Sequence, residues 1–188
     1  ALTLTAALLA LVVAGAVFLY IYTRCEYEVA GTARDDTSVS TLAVNGVDLH
    51  VKTFGRPEAP VVIGLHGGPG ADMGPIEEAL ATLADNYFVV LYDQRGTGLS
   101  PRIPDDLITL ETNLGDLDAL INRFSPERRV RIVGHSWGAM LATAYLGREP
   151  DKIEKIVLAE PGFLTGAQGN EFLTKVKLNI SFGLIREF

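Results

Sequence analysis

The segment 130–142 constrains the fold of this chain more than any other. A run rich in β-branched residues leads into the pattern Gly-x-Ser-x-Gly over 134–138, and small residues typical of a helix follow. This order predicts a strand, a sharp turn and a helix, with Ser136 at the apex of the turn. Gly134 and Gly138 fit the prediction, because such a strained turn leaves no room for Cβ atoms. A serine held there is accessible to a base on one side and to a substrate carbonyl on the other.

Two apolar runs upstream also end in glycine-rich loops. The run 60–65 opens into His-Gly-Gly-Pro-Gly at 66–70, and the run 87–92 opens into Asp-Gln-Arg-Gly-Thr-Gly-Leu-Ser at 93–100. In an open parallel sheet, the loops at the carboxyl ends of the strands gather on one edge, where sites form. We therefore expect the three loops to meet around Ser136.

In this order, the three motifs resemble those of the α/β-hydrolase family, and in particular of its proline iminopeptidase-like serine hydrolases. The resemblance covers roughly 41–160. It implies an α/β fold with a mostly parallel sheet and helices on both faces. It further implies that Ser136 is the nucleophile and that the backbone N–H groups of Trp137 and Gly68 form the oxyanion hole. Gly67 is the other choice for the second donor.

The function implied by the resemblance is that of a serine hydrolase whose substrate is a peptide or a small molecule. The branch of the family points to an aminopeptidase that releases an N-terminal residue such as proline. A carboxylesterase or another small-molecule hydrolase uses the same machinery, and the three motifs do not separate these activities. No cofactor is implied.

Changes in composition divide the chain into four predicted segments. These are a transmembrane anchor (1–23), a linker (24–40), the hydrolase core (41–160) and the start of a helical cap (161–188). The alternation of strand and helix patterns within the core predicts three layers, namely a mostly parallel sheet with helices on both of its faces. The apolar run 153–159 predicts another buried strand.

The anchor is predicted from residues 1–22, which carry no charged side chain and are almost entirely apolar. As a helix they would span about 33 Å, which is enough for a bilayer core. Tyr20, Tyr22 and Arg24 are typical of a membrane interface. A cleavable signal peptide or a buried soluble helix are the alternatives. The apolar run continues past the small residues at 14–16, which favours an anchor and a membrane location.

Charge and cysteine content exclude other classes. The net charge of −7 argues against a nucleic-acid partner, whose phosphates need a basic surface. Cys25 is the only cysteine, so the chain has no internal disulfide framework. No paired Cys or His spacing indicates a metal site.

The chain has three histidines, and none of them follows Ser136. In this fold the order is serine, acid, histidine. We expect His66, at a strand end under the oxyanion loop, to have a packing or hydrogen-bonding role, and His135 to point away from its neighbour Ser136. His50 follows an Asn-Gly hairpin on the polar face of its strand, and we expect it to be exposed. Two hypotheses remain: an N-terminal part of a longer enzyme, inactive alone without its later acid and histidine, or a non-catalytic, membrane-tethered binding module.

Charged residues near the predicted edge have less certain roles. We expect Asp93 and Arg95 to form an ion pair that braces their loop. Glu160 follows the run 153–159, on the same edge as Ser136. It could be the acid of the triad, the partner of a substrate amino group, or an exposed residue without a catalytic role, and the sequence leaves these three open.

Overall fold

The computed structural model describes residues 11–20, 31–163 and 165–171. The chain divides into two units, Ala1–Ala30 and Gly31–Phe188. In the first unit, the described residues 11–20 are helical and their side chains are exposed. No helix among the described residues is long and apolar enough to cross a bilayer. Most of the predicted anchor, 1–10 and 21–23, lies outside the described residues, so the anchor stays a prediction.

Within the described residues, the second unit contains a six-stranded sheet. Its strands are β1 (Thr41–Val44), β2 (Val47–Phe54), β3 (Val61–Leu65), β4 (Phe88–Tyr92), β5 (Val130–His135) and β6 (Ile153–Ala159). They lie in the order β1-β2-β4-β3-β5-β6. Strand β2 is antiparallel to both of its neighbours, β1 and β4, whereas β3, β4, β5 and β6 are parallel to one another. The mostly parallel sheet is as predicted, and it brings the carboxyl ends of β3 to β6 to one edge.

Three α-helices of the second unit, as far as it is described, cover the two faces of this sheet. They are α1 (Gly74–Ala81), α2 (Leu110–Phe124) and α3 (Trp137–Arg148). Side chains of β4 alternate between the faces, with Val89 and Leu91 packing beside Leu80 of α1. Val90 faces the larger cluster, which contains residues of α2 and α3. The predicted three layers follow from this alternation, because buried central strands present apolar side chains to both faces.

Strand β6 differs from the prediction of a buried strand. Within the described residues it pairs only with β5, and Val157 and Leu158 are 56% and 38% exposed. The apolar composition of β6 predicts a strand, but it does not reveal whether that strand lies in the middle of the sheet, where it would be buried, or at an edge. Residues 166–171, within the predicted cap, are helical, whereas 164 and 172–188 lie outside the described residues.

The prediction that His50 is exposed is wrong. Its strand β2 is an interior strand, paired with both β1 and β4. The imidazole Nδ1 lies 2.9 Å from the carbonyl oxygen of Ser40, and the backbone N–H donates to Ser100 Oγ at 2.9 Å. The alternating pattern identified the polar face of the strand, on which Asp48 is exposed, but these loop contacts bury His50.

Part of the predicted linker also packs on the core. Thr32 is buried, and the backbone N–H of Ala33 donates to the carbonyl oxygen of Leu99 at 2.8 Å. Residues 31–40 therefore contact the Asp-Gln-Arg-Gly loop of the second unit.

The predicted ion pair between Asp93 and Arg95 is wrong. The carboxylate of Asp93 accepts backbone N–H groups of Met73 and Leu99, each at 2.8 Å. Arg95 instead forms a two-point ion pair with Asp116 of α2, with Nε–Oδ2 at 2.7 Å and Nη2–Oδ1 at 2.6 Å. Both side chains are almost fully buried. The pair fastens the loop after β4 to α2.

We expect Asp116→Asn to lower the free energy of unfolding by about 3–5 kcal/mol, because the charge of Arg95 stays buried without an opposite charge beside it. Urea unfolding of the full-length protein measures the change. Glu154→Gln is the matched control, since it removes one partner of the more exposed pair with Arg131, and it should cost less than about 1 kcal/mol. Equal losses in the two variants would contradict the prediction.

Candidate active site

Ser136 occupies the single position between β5 and α3. Its φ is 52° and its ψ is −114°, a conformation that a residue with a Cβ rarely adopts. Its N–H donates to the carbonyl oxygen of Ala159 at 2.9 Å, which ties the turn to β6. Such a backbone conformation costs about 1–3 kcal/mol and persists only where the surroundings impose it. The predicted sharp turn with serine at its apex is therefore present.

The two glycines of the turn are required by close approach of backbone. A Cβ at Gly134 would lie 2.5 Å from the carbonyl oxygen of Gly138. A Cβ at Gly138 would overlap the carbonyl oxygen of Leu65 at the end of β3. The first turn of α3 thus packs directly on the backbone of the central strand.

The His-Gly-Gly-Pro-Gly loop runs alongside the serine. A Cβ at Gly67 would lie 3.3 Å from Ser136 Cβ and 2.9 Å from His135 Nδ1. Gly68 has φ of 124°, and a Cβ there would lie 2.6 Å from the backbone N of Gly70. The structure therefore brings Gly67, the residue before the predicted donor Gly68, next to Ser136 at the edge where α3 begins.

His66 has the hydrogen-bonding role under the oxyanion loop that the sequence analysis predicted. It is buried, its Nδ1 lies 2.7 Å from the carbonyl oxygen of Gly67, and its Nε2 accepts the backbone N–H of Gln94 at 3.0 Å. Burial lowers the pKa of His66 and so favours the neutral ring. Both ring nitrogens are engaged by backbone, which leaves neither free to serve as a base for Ser136.

Sequence reasoning missed Gln94. Its side chain is buried between the loops, donating to the carbonyl oxygen of His66 at 3.1 Å and accepting from the indole Nε1–H of Trp137 at 2.8 Å. Its place inside the Asp-Gln-Arg-Gly motif was the available signal. A motif does not reveal where an amide points, so the link to Trp137 emerges only from the fold.

His135 and Glu160 face each other at the rim of the site. His135 Nε2 lies 3.7 Å from a carboxylate oxygen of Glu160, and the two side chains are 39% and 88% exposed. Glu160 has φ of 47°, directly after β6. In the described structure, no histidine hydrogen bonds to the side chain of Ser136.

Two cavities adjoin Trp137 and Leu110. The larger, of about 410 Å³, is lined by Leu110, Trp137, Met140, Thr143, Ala144, Phe163, Thr165 and Gly166. The smaller, of about 200 Å³, lies between the oxyanion loop, the loop after β4 and the start of α2. Among the described residues that line the larger cavity, none carries a charge. That cavity therefore suits an uncharged, mainly apolar group.

Comparison with known proteins supports the motif evidence. A family model for the α/β-hydrolase fold matches residues 60–179. The chain belongs to the α/β-hydrolase family. The proline iminopeptidase of Lactobacillus helveticus is 37% identical over 121 residues, which are 61% of this chain and 40% of that protein. The relationship predicted from the three motifs is thus confirmed, including its proline iminopeptidase-like character.

Two solved structures are similar to this chain in fold and in sequence. A proline iminopeptidase-related protein from Thermus thermophilus has a TM-score of 0.59 at 30% identity, covering 64% of this chain and 43% of that one. An epoxide hydrolase from Vigna radiata has a TM-score of 0.58 at 32% identity, covering 66% and 40%. The chain spans about 35–43% of the length of these and similar curated relatives.

Proposed function

We propose that the full-length protein is a serine hydrolase of the aminopeptidase kind, which releases an N-terminal residue such as proline. The observation that carries the proposal is the strained turn at Ser136 with Gly67 of the oxyanion loop packed against it. Nucleophile and oxyanion loop adjoin one another, which is what acyl transfer requires. The proline iminopeptidases among the relatives support the substrate class.

In the proposed reaction, Ser136 Oγ forms a bond to the substrate carbonyl carbon as its proton passes to a base. The carbonyl oxygen becomes an oxyanion, which accepts the N–H groups of Trp137 and Gly68. The C–N bond then breaks and the base returns the proton to the leaving amine. Water hydrolyses the acyl-enzyme in the same manner and restores the serine.

The base of the proposed reaction comes from outside these 188 residues. His66 holds the oxyanion loop, and His50 is buried against Ser40. His135 faces Glu160 across the rim. A histidine and an orienting acid that follow Ser136 in sequence would complete the triad.

The apolar cavity beside Trp137 supports an uncharged acyl group as the part of the substrate that binds there. The ring methylene groups of an N-terminal proline fit such a lining, with the charged ring nitrogen directed away from it, and so does the acyl chain of a carboxylic ester. A carboxylesterase is therefore the second candidate function. It is favoured by the lack of charge among the described residues of the lining.

An assay of the full-length protein with chromogenic aminoacyl amides and acyl esters distinguishes the two candidates. Higher kcat/KM on proline amides supports the aminopeptidase, and a preference for esters without an amino group supports the carboxylesterase. If neither class is turned over and a fluorophosphonate does not label Ser136, the proposal is overturned in favour of a non-catalytic module.

Membrane attachment through residues 1–23 is a separate part of the proposal. Their uncharged, apolar composition supports it. Fractionation of cells that express the protein with and without these residues tests it, because only the version with the segment should sediment with membranes.

Glu160→Gln separates the three roles that remain open for this residue. If Glu160 pairs with the substrate amine, we expect KM to rise up to about fivefold on aminoacyl substrates only, because an exposed charge pair contributes no more than about 1 kcal/mol. A fall of kcat on every substrate indicates the triad acid, since the histidine loses its orienting charge. Unchanged kinetics on both classes would contradict either role. Glu154→Gln, on an exposed ion pair with Arg131, is the matched control.

A further inference from the structure

The side-chain amide of Gln94 joins three segments of the candidate site. Gln94 is only 2% exposed. Its Nε2 donates to the carbonyl oxygen of His66 at 3.1 Å, and its Oε1 accepts from the Trp137 indole at 2.8 Å. A backbone carbonyl can only accept and an indole N–H can only donate, so a flipped amide would lose both bonds. The amide is therefore held in one orientation.

The backbone N–H of Gln94 also fixes the tautomer of His66. It donates to His66 Nε2 at 3.0 Å, so this nitrogen carries no proton. The proton of the neutral ring therefore lies on Nδ1, which donates to the carbonyl oxygen of Gly67 at 2.7 Å. A protonated ring would turn an Nε2–H toward the Gln94 N–H, and the hydrogen bond between them would be lost.

The contact between His66 and Gly67 sets the direction of the Gly68 N–H. The carbonyl of Gly67 and the N–H of Gly68 belong to one planar trans peptide group, so they point in opposite directions. Holding the carbonyl against His66 directs the N–H of Gly68 to the other side of the loop. Gly67, which begins this peptide group, adjoins Ser136, because a Cβ at Gly67 would lie 3.3 Å from Ser136 Cβ.

The second bond of the amide acts on the other predicted donor. Trp137 is the first residue of α3, and the first N–H groups of a helix have no partner within the helix. The hydrogen bond from the Trp137 indole to Gln94 restrains the Trp137 side chain, and with it the start of the helix. One amide is thus bonded on one side to the oxyanion loop and on the other to the turn.

We propose that Gln94 is a positioning residue, which holds the N–H groups of Gly68 and Trp137 in a fixed relative geometry. The inference rests on the proposed function, because the two donors matter only if an oxyanion forms between them. Gln94 acts through His66 and Trp137 and needs no contact with the substrate.

Gln94→Leu in the full-length protein is the first test. We expect kcat to fall about 10- to 100-fold with little change in KM, because a displacement of about 1 Å costs roughly that much. Ser125→Ala is the control for stability, since it removes a hydrogen bond to the carbonyl of Arg128 at the opposite edge of the sheet. It should lower the melting temperature without lowering kcat. An unchanged kcat in Gln94→Leu overturns the inference.

Gln94→Glu gives a readout that a purely structural role would not produce. A protonated carboxyl group can donate to the His66 carbonyl and accept from Trp137, as the amide does, whereas a carboxylate cannot donate. We expect the ratio of variant to wild-type kcat to fall as pH rises through the pKa of this buried acid. A ratio that does not change with pH overturns the inference. The other charged or titratable groups near position 94 are His66, Asp72, Asp93 and Arg95. They are the same in Gln94→Glu and in the wild type, so the ratio of the two kcat values reports on the new carboxyl group.

A third measurement needs no substrate. The indole N–H resonance of Trp137, assigned by its loss in Trp137→Phe, should exchange slowly with solvent in the wild type and faster in Gln94→Leu. An inactive wild-type protein overturns the proposed function itself. An active protein in which Gln94→Leu changes neither the exchange rate nor kcat overturns only the positioning role.

Discussion

Ser136→Ala is expected to lower kcat of the full-length protein at least about 1,000-fold, because the attacking oxygen is removed while the oxyanion donors remain. The melting temperature should stay close to that of the wild type, since alanine keeps the same backbone strain. Steady-state kinetics on the best chromogenic substrate, with a thermal melt of the same sample, measures both quantities. An activity that survives the substitution would contradict the proposed mechanism for aminopeptidase and esterase alike.

Two further variants show whether the loss of kcat in Ser136→Ala comes from the missing hydroxyl group. Ser125→Ala removes a hydroxyl remote from the site and should keep full kcat. Ser136→Gly should be as inactive as Ser136→Ala yet more stable, because glycine adopts φ of 52° without the strain of about 1–3 kcal/mol. If the glycine variant is no more stable than the alanine variant, the turn is not strained as described.

Gly138→Ala is expected to lower the free energy of unfolding by about 4 kcal/mol or more. The added methyl group would overlap the backbone carbonyl of Leu65, and neither the central strand β3 nor the first turn of α3 is free to move aside. Denaturant unfolding measures the loss. Activity should fall as well, because the same displacement moves Ser136 and Trp137.

Gly147→Ala in the same helix is the matched control. A Cβ at this position meets nothing within 4 Å, and alanine is the better helix former. We expect the free energy of unfolding to rise by up to about 1 kcal/mol. A similar loss in both variants would show that packing against Leu65 is not the reason for glycine at position 138.

Local patterns predicted the framework of the site. The turn at Ser136 and the glycines beside it could be predicted from the sequence, because steric demands in a turn act between close neighbours. The parallel strands followed from their apolar runs and from the helical patterns between them. Since carboxyl ends of parallel strands share an edge, the meeting of the three loops was also predictable.

Side-chain partners across the fold could not be predicted in this way. Arg95 pairs with Asp116 instead of Asp93, because two backbone N–H groups already occupy the nearer carboxylate. His50 is buried by contacts from Ser40 and Ser100, which lie in loops on either side of its strand in sequence. Such contacts depend on how loops pack, which the periodicity of one strand does not contain.

The sequence by itself determined the family, the three motif loops and the position of Ser136, because each depends on residues that are adjacent along the chain. Only the tertiary structure decided that Gln94 joins His66 to Trp137 and that His135 faces Glu160. The physical reason is that hydrogen bonds and charge contacts depend on the directions of single atoms. The packing of separate strands and loops sets those directions.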